Sequence, residues 1–200
     1  MSAETMIAPG FSDPVFESQA AFRVLLAALS EPGTLQQVAG EIAPPEGLAT
    51  ATATALLTLA DYETPVWLPA ALRNGPAGAW LRFHCAATLV DDPAEAAFAV
   101  IDGAADEPKL SAVNLGTDQF PDRSTTVIVQ VAGLEGGPAI TLAGPGILGS
   151  RNVAPQGLRS RFTDELRENG ALYPLGVDVL LAHGGGLIGL PRSTQVEEVR

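Results

Sequence analysis

The sequence is poor in the side chains that carry out most enzyme chemistry. It contains one cysteine, Cys85, one lysine, Lys109, and two histidines, His84 and His183. A single thiol excludes an internal disulfide, a cysteine-based zinc site and an iron–sulfur cluster, because each of these needs several thiolates. So low a cysteine content is typical of a reducing compartment, and we expect a cytoplasmic protein.

Basic residues are also scarce, and their scarcity excludes whole classes of partner. The chain has 11 basic and 23 acidic residues, a net charge of −12. Such a field repels nucleic acids and anionic membranes, so neither is an expected partner. No apolar run is long enough to span a membrane, since the longest, at 49–60, is interrupted by four threonines. The acidic, proline-containing start at 1–16 does not match a signal peptide.

The few basic residues are distributed unevenly. Residues 1–150 hold 5 basic and 17 acidic residues, whereas residues 151–200 hold 6 of each. Arg151, Arg159, Arg161 and Arg167 make the last quarter the place where an anion or an acidic partner surface can be met. The alternative is that these arginines line a solvated helix face.

What the sequence does contain is enough apolar material for a core. The hydrophobic fraction is 46% and the charged fraction 17%, with 21 glycines and 16 prolines. A chain of this length buries roughly 70% of its unfolded surface, so we expect one domain over 1–200 with many turns. Residues 1–16 form an irregular N-terminal arm in this prediction.

Periodicity predicts alternating helices and strands. The expected helices lie at 17–29, 46–60, 94–101 and 155–169. The expected strands lie at 34–38, 65–68, 79–90, 124–131 and 139–142, with 124–131 and 139–142 adjacent in the sheet or forming a hairpin, and with a final hairpin of 177–182 and 187–190 around three glycines. This order favours an α/β fold, a mixed sheet flanked by helices.

The candidates for chemistry are few and weak. His84 and Cys85 are neighbours in a predicted strand, where side chains point to opposite faces, so their geometry is poor for a nucleophilic pair and favours a packed cysteine. His183 precedes a glycine turn and is expected at the surface. Asp91 and Asp92 are better explained as helix caps than as metal ligands. The glycine-rich segment at 144–150 lacks the lysine of a phosphate loop, and Lys109 lies among acids that oppose a Schiff-base role.

Five segments together resemble one protein family. They are AFRVLLAALSEPGT at 21–34, LTLADYETPVWL at 57–68, LAGPGI at 142–147, YPLGVD at 173–178 and GLPRST at 189–194. Each is weak alone, but all five occur in the same order in the PhnH subunit family of the bacterial carbon–phosphorus lyase system. By this resemblance the chain is identified as a member of that family.

The resemblance implies a fold and a role that the composition does not. It implies a fold similar to that of pyridoxal-phosphate-dependent transferases but without the cofactor, and a homodimer when the protein is isolated. Such proteins are subunits of a complex with PhnG, PhnI and PhnJ, in which a phosphonate displaces adenine from MgATP to give a ribose 1-phosphonate 5-triphosphate. PhnJ then breaks the carbon–phosphorus bond by iron–sulfur radical chemistry, a role that a chain with one cysteine cannot fill.

Two hypotheses for function follow. The first is a structural subunit without an active site or cofactor of its own, whose partner surface is the C-terminal hairpin at 177–190. The second is a ligand-binding or catalytic unit that holds a phosphonate or nucleotide at arginines. Its candidate residues for contact with an anion or a partner are Arg192 with Asp178, which are spaced to pair across the hairpin, together with Arg159 and Arg161.

Overall fold

The computed structural model describes residues 7–39 and 42–197. Five α-helices are present in these ranges: α1 Pro14–Ser30, α2 Thr50–Leu59, α3 Ala70–Arg73, α4 Pro76–Cys85 and α5 Phe162–Ala171. The same ranges contain ten strands: β1 Leu35–Gln37, β2 Val66–Trp67, β3 Leu89–Val90, β4 Phe98–Asp102, β5 Thr126–Gln130, β6 Ile140–Ala143, β7 Arg151–Val153, β8 Asp178–His183, β9 Gly186–Leu190 and β10 Gln195–Glu197. None of the helices among these residues is long and apolar enough to cross a membrane.

The first helix illustrates how local sequence sets the boundaries. Asp13 caps α1 by accepting a hydrogen bond from the Phe16 N–H, and Pro14 occupies the first turn. The helix therefore starts three residues before the predicted position, inside the stretch predicted as an irregular arm. Residues 7–13 have no regular structure, and 1–6 lie outside the described residues. The helix ends at Ser30, one residue past the predicted end, and Pro32 follows its C-cap Glu31 because proline cannot continue a helix.

The main sheet has seven strands in the order β1-β9-β8-β5-β4-β2-β3. Strands β8, β5, β4, β2 and β3 are parallel neighbours, whereas β9 runs antiparallel to both β8 and β1. Helices cover one face of the sheet, with α1 and α2 packed against β9 and β8. The predicted mixed sheet with flanking helices is confirmed, and so is the hairpin of β8 and β9.

The two faces of this sheet hold separate parts of the core. Alternate side chains such as Val100, Ile128 and Leu180 pack under α1, α2 and α4. Their neighbours Val127, Val129 and Leu181 face a second layer that contains α5 and a three-stranded sheet in the order β10-β6-β7. Strands buried on both faces carry continuous β-branched runs, which is why 124–131 was recognisable from sequence.

Two predicted elements were assigned to the wrong type. Residues 79–90 were predicted to be a strand, but most of them belong to α4, and only Leu89–Val90 forms β3. The apparent alternation had a different cause: Trp80 and Leu81 are buried on one helical face while Phe83 is exposed. Residues 94–101 were predicted to be a helix, but Asp92 caps only a single 3-10 turn at Pro93–Glu95, and the apolar run that follows is β4. Burial between two layers outweighed the alanine-rich helical propensity.

Two further expectations were wrong in placement. Strands β5 and β6 are not neighbours, because β6 lies in the small sheet between β10 and β7. The helix expected at 155–169 begins only at Phe162, since β7 and an irregular segment joined to Gly133 precede it. In both cases the pairing depends on contacts between distant segments, which periodicity does not report.

Candidate functional site

A buried arginine–glutamate pair lies at the N-terminal end of α5. Arg159 donates from Nε to Glu165 Oε1 at 2.8 Å and from Nη2 to Glu165 Oε2 at 2.7 Å. The two side chains are 5% and 10% exposed. Nη1 donates to the Ala105 carbonyl at 2.7 Å, and Nη2 also donates to the Pro108 carbonyl at 3.2 Å. Arg159 thus ties α5 to the 103–110 loop and uses four of its five guanidinium N–H donors within the chain.

The same pair holds Glu165 in its charged form. Burial raises the pKa of Glu165, but the hydrogen bond from Arg159, the Leu110 N–H and the positive charges of Arg159 and Lys109 together lower that pKa below its ordinary value. The buried carboxylate is therefore a fixed structural anion at neutral pH.

We expect this pair to make stability depend on pH in the acid range. A carboxyl whose pKa is lower in the folded state than in the unfolded state stabilises the fold above the unfolded value, about 4.3, and this stabilisation is lost as pH falls through the folded pKa. Wild type should therefore lose more unfolding free energy between about pH 5 and pH 3 than Glu165→Gln does. Urea unfolding at each pH measures this, and equal slopes for the two proteins would contradict it.

A charged cavity of about 280 Å³ opens beside this pair, and Arg161 and Lys109 line it. Arg161 is exposed and occupies the N-cap position of α5. The acidic residues of the lining outnumber the basic ones: Asp106, Glu107, Asp164, Glu165 and Glu168 against Lys109, Arg159 and Arg161. The cavity therefore does not attract an anion as strongly as its arginines alone suggest.

The second predicted pair lies at the other end of the sheet. Arg192 donates from Nη2 to Asp178 Oδ2 at 2.7 Å and from Nε to Asp178 Oδ1 at 3.2 Å, and its backbone N–H also reaches Oδ1. Its Nη1 binds the Pro121 carbonyl at 2.5 Å. Asp178 is the first residue of β8, whereas the Arg159 backbone N–H donates to the Gly103 carbonyl just after the last residue of β4. The structure therefore does not bring Arg159 and Arg192 together.

Sequence reasoning missed a crevice at the carboxyl ends of the parallel strands. The crevice measures about 440 Å³, and Asp102 at the end of β4 and Gln130 at the end of β5 border it, with Pro69 and Leu72 following β2. Strand β3 lies on one side of β2 and β4 on the other, so the crevice is at the switch point where open α/β sheets bind ligands. A polar residue at the end of an apolar strand was the available signal, but 94–101, which contains most of this strand, was predicted to be helical.

The crevice offers little that can drive a reaction. Gln130 is occupied, since its Oε1 accepts the Ala49 N–H and its Nε2 donates to the Gly47 carbonyl. Asp102 is exposed and accepts the Ala104 N–H through Oδ1. Most of the remaining lining is apolar. Such walls suit shape-based contact with a small molecule or a partner side chain.

The other sequence candidates do not form a catalytic group. His84 and Cys85 both lie on α4 and not on a strand. His84 Nε2 lies 2.9 Å from the Ala8 carbonyl, whereas Cys85 Sγ contacts the Leu56 carbonyl, so the two side chains have different partners. Burial, with the nearby charge of Asp61, raises the pKa of Cys85 to about 11. His183 is exposed, with Nδ1 3.0 Å from the Val131 carbonyl. In 7–39 and 42–197 no three His, Cys, Asp or Glu residues are grouped as metal ligands.

The C-terminal hairpin is not the open surface that was predicted. Every residue of β9 is buried, and β9 is covered on its outer edge by β1. The turn residue Gly184 is exposed, but its carbonyl accepts the Ala51 N–H at the start of α2. The strands of the predicted partner surface at 177–190 therefore lie within the sheet and have no free edge, so only the turn at 183–185 is open to a partner.

Comparison with known proteins gives consistent similarities. The family model described as "Bacterial phosphonate metabolism protein (PhnH)" matches residues 9–197. The chain is 40% identical over 198 residues to "Alpha-D-ribose 1-methylphosphonate 5-triphosphate synthase subunit PhnH" of Rhizobium meliloti (strain 1021), covering 98% of this chain and 99% of that one. It is 30% identical over 179 residues to "Putative C-P lyase subunit protein HtxG" of Stutzerimonas stutzeri, covering 89% and 85% of the two chains.

Proposed function

The chain belongs to the PhnH family, and on that premise we propose that it is a structural subunit of a ribose 1-methylphosphonate 5-triphosphate synthase in phosphonate catabolism. The observation that carries the structural role is the pairing of its best anion-binding candidates. Arg159 and Arg192 each donate from all three guanidinium nitrogens to a carboxylate and to backbone carbonyls of the same chain. Arginines engaged in this way stabilise loops, and contact with a phosphonate or a triphosphate would compete with these bonds.

The proposal also covers how the chain assembles and where in the cell it acts. The chain is one domain that forms a homodimer by itself and joins PhnG, PhnI and PhnJ counterparts in the cytoplasm. A parallel five-strand core flanked by helices supports the further proposal that the fold is related to pyridoxal-phosphate-dependent transferases. Its single lysine, Lys109, lies in a loop with Nζ 4.0 Å from Glu107 Oε1.

Co-expression with tagged PhnI, PhnG and PhnJ counterparts tests the assignment. We expect the chain to co-purify in one assembly by size-exclusion chromatography with light scattering. The chain alone should release no adenine from MgATP and methylphosphonate, whereas the assembly should. Absence from the assembly would refute the subunit role.

A variant separates a structural from a catalytic contribution. Asp102→Asn removes the one carboxylate of the crevice at the strand ends without changing its shape, and it should leave adenine release per assembled complex unchanged. A large drop in that rate with intact assembly would show that the chain contributes to catalysis.

A further inference from the structure

Strand β1 lies at one end of the seven-stranded sheet, and half of its backbone groups face away from the sheet. Its neighbour among the described strands is β9, which it meets antiparallel. Just past β1, in the same register, the Val38 N–H donates to the Gly185 carbonyl at 3.0 Å. Residues that bond to the neighbouring strand alternate with residues that face away in such a ladder. Gln36 and Val38 therefore bond towards β9, and the N–H and C=O groups of Leu35 and Gln37 point outwards.

These outward groups are unpaired and open. No backbone or side-chain group in the described ranges, 7–39 and 42–197, is hydrogen-bonded to the main chain of Leu35 or Gln37. Leu35 is 46% exposed, and Gln37 is exposed as well. Two donors and two acceptors are thus presented two residues apart, which is the repeat of a strand backbone. Such an edge is a template for one more strand. We call residues 34–39 the β1 edge.

The β1 edge lacks the side chains that usually keep a sheet edge from pairing. Natural edges are blunted by charged residues or proline, but 34–39 reads TLQQVA and contains neither, in a chain with 11 basic and 23 acidic residues. Strand β3, at the other end of the sheet, differs in this respect. Arg73 donates to the Val90 carbonyl at 3.2 Å and pairs with Asp91 at 2.6 Å. Charged groups therefore flank one end of the sheet and not the other.

We propose that the β1 edge binds an extended segment of another subunit of the assembly, which continues the main sheet as an eighth strand. The backbone of this segment bonds to the outward N–H and C=O groups of Leu35 and Gln37, which is the mode of recognition called strand addition. Side chains of the segment then lie beside those of β1. An apolar residue next to Leu35 covers its exposed side chain, and a polar residue lies next to Gln37.

A segment of a different protein fits this edge better than a second copy of the chain does. A second copy brings another net charge of −12 to the contact, and Glu31 is exposed just before the edge. Strand β1 has three residues, so an added strand forms few hydrogen bonds and needs further contacts to stay bound. A subunit that also touches the chain elsewhere supplies those contacts. The expected partner is therefore a neutral or basic extended segment within a larger assembly.

Hydrogen–deuterium exchange at residue resolution tests the orientation and the contact together. In the chain alone, the amides of Leu35 and Gln37 should exchange rapidly, whereas those of Gln36 and Val38 should be protected by their bonds to β9. In the assembly with the PhnG, PhnI and PhnJ counterparts, exchange at Leu35 and Gln37 should slow by at least about 10-fold. Unchanged exchange at both residues in the assembly would overturn the proposal.

Proline at the edge separates the backbone contribution from that of the side chain. Gln37→Pro removes an outward N–H and leaves the bonds to β9 in place, and proline is tolerated on edge strands where the N–H faces solvent. The variant should keep the wild-type circular dichroism spectrum but bind the other subunits at least about 10-fold more weakly. Gln37→Ala is the matched control, because it removes the same side chain and keeps the N–H, and it should bind like wild type.

A folded Gln37→Pro chain that binds as well as Gln37→Ala would contradict the strand addition. If Gln37→Pro does not fold, the exchange rates of the wild-type chain decide the question. Protection of Leu35 and Gln37 in the chain alone that disappears on dilution to the monomer would mean that a second copy occupies the edge, and it would exclude the proposed partner.

The strand addition rests on the subunit role in the proposed function, and the two fail in different ways. A wild-type chain that is absent from the assembly refutes the subunit role. A wild-type chain that joins the assembly without any change in exchange at Leu35 and Gln37 refutes the strand addition alone and leaves the subunit role standing.

Discussion

Replacing Gly189 with alanine should lower the unfolding free energy by about 3 kcal/mol or more, the cost of forcing a buried contact apart. Gly189 lies in β9 directly beneath α1. A Cβ at this position would lie 2.3 Å from the Ala28 carbonyl oxygen and 2.5 Å from the Ala28 carbonyl carbon. Both are backbone atoms, so no side-chain rotation relieves the overlap and α1 has to move off the sheet. Urea unfolding followed by circular dichroism measures the change.

Gly185→Ala is the matched control for this substitution. It belongs to the same hairpin, and its added Cβ would lie in ordinary contact with two side chains, 3.4 Å from Gln37 Oε1 and 3.9 Å from Val38 Cγ2. We expect a change within about 0.5 kcal/mol. Comparable losses for the two variants would mean that the close approach of α1 to β9 is not what Gly189 permits.

Replacing Glu165 with alanine should cost about 3–5 kcal/mol, because it leaves the buried Arg159 guanidinium without its counter-charge. The loss is larger than that of one hydrogen bond, since Glu165 accepts two bonds from Arg159 and a third from the Leu110 N–H. The loop at 105–110 loses its attachment to α5 at the same time. Thermal and urea unfolding at neutral pH measure the effect.

The neighbouring residue supplies the control. Asp164 pairs with Arg167 on the same helix at 2.6 Å, but its side chain is 55% exposed. Exposed pairs of this spacing contribute roughly 0.3–0.5 kcal/mol, so Asp164→Asn should have a small effect. A double variant, Arg159→Leu with Glu165→Leu, should recover part of the loss, because it leaves no unpaired buried charge. If Glu165→Ala were as mild as Asp164→Asn, the pair would not be the anchor described here.

The Asp178–Arg192 and Arg159–Glu165 pairs together show which parts of the candidate site could be predicted from the sequence. The spacing of Asp178 and Arg192 across a hairpin predicted their pairing, because β8 and β9 were both recognised and their register follows from a short glycine turn. The partner of Arg159 was not predicted. Glu165 lies six positions further on, past an irregular segment, and nothing in the local pattern distinguishes it from the exposed acids beside it.

The apolar stripe of α1 was recognised only in part for a similar reason. Apolar periodicity identified the helix at 17–29, but it did not distinguish the buried Ala21 and Leu25 from the exposed Phe22 and Leu26. Which apolar face of a helix reaches the core depends on where the sheet lies. Only the tertiary structure showed that Phe22 and Leu26 remain outside it.

The sequence by itself determined the class of fold, the family and most helix and strand positions, because these depend on local propensity, capping and motifs that lie along the chain. It also excluded sites that need several thiolates, since those residues are absent. Tertiary structure decided which type the stretches at 79–90 and 94–101 adopt, where β6 pairs, and which arginines are occupied. Each of these depends on burial and on partners distant in sequence, and such contacts override weak local preferences.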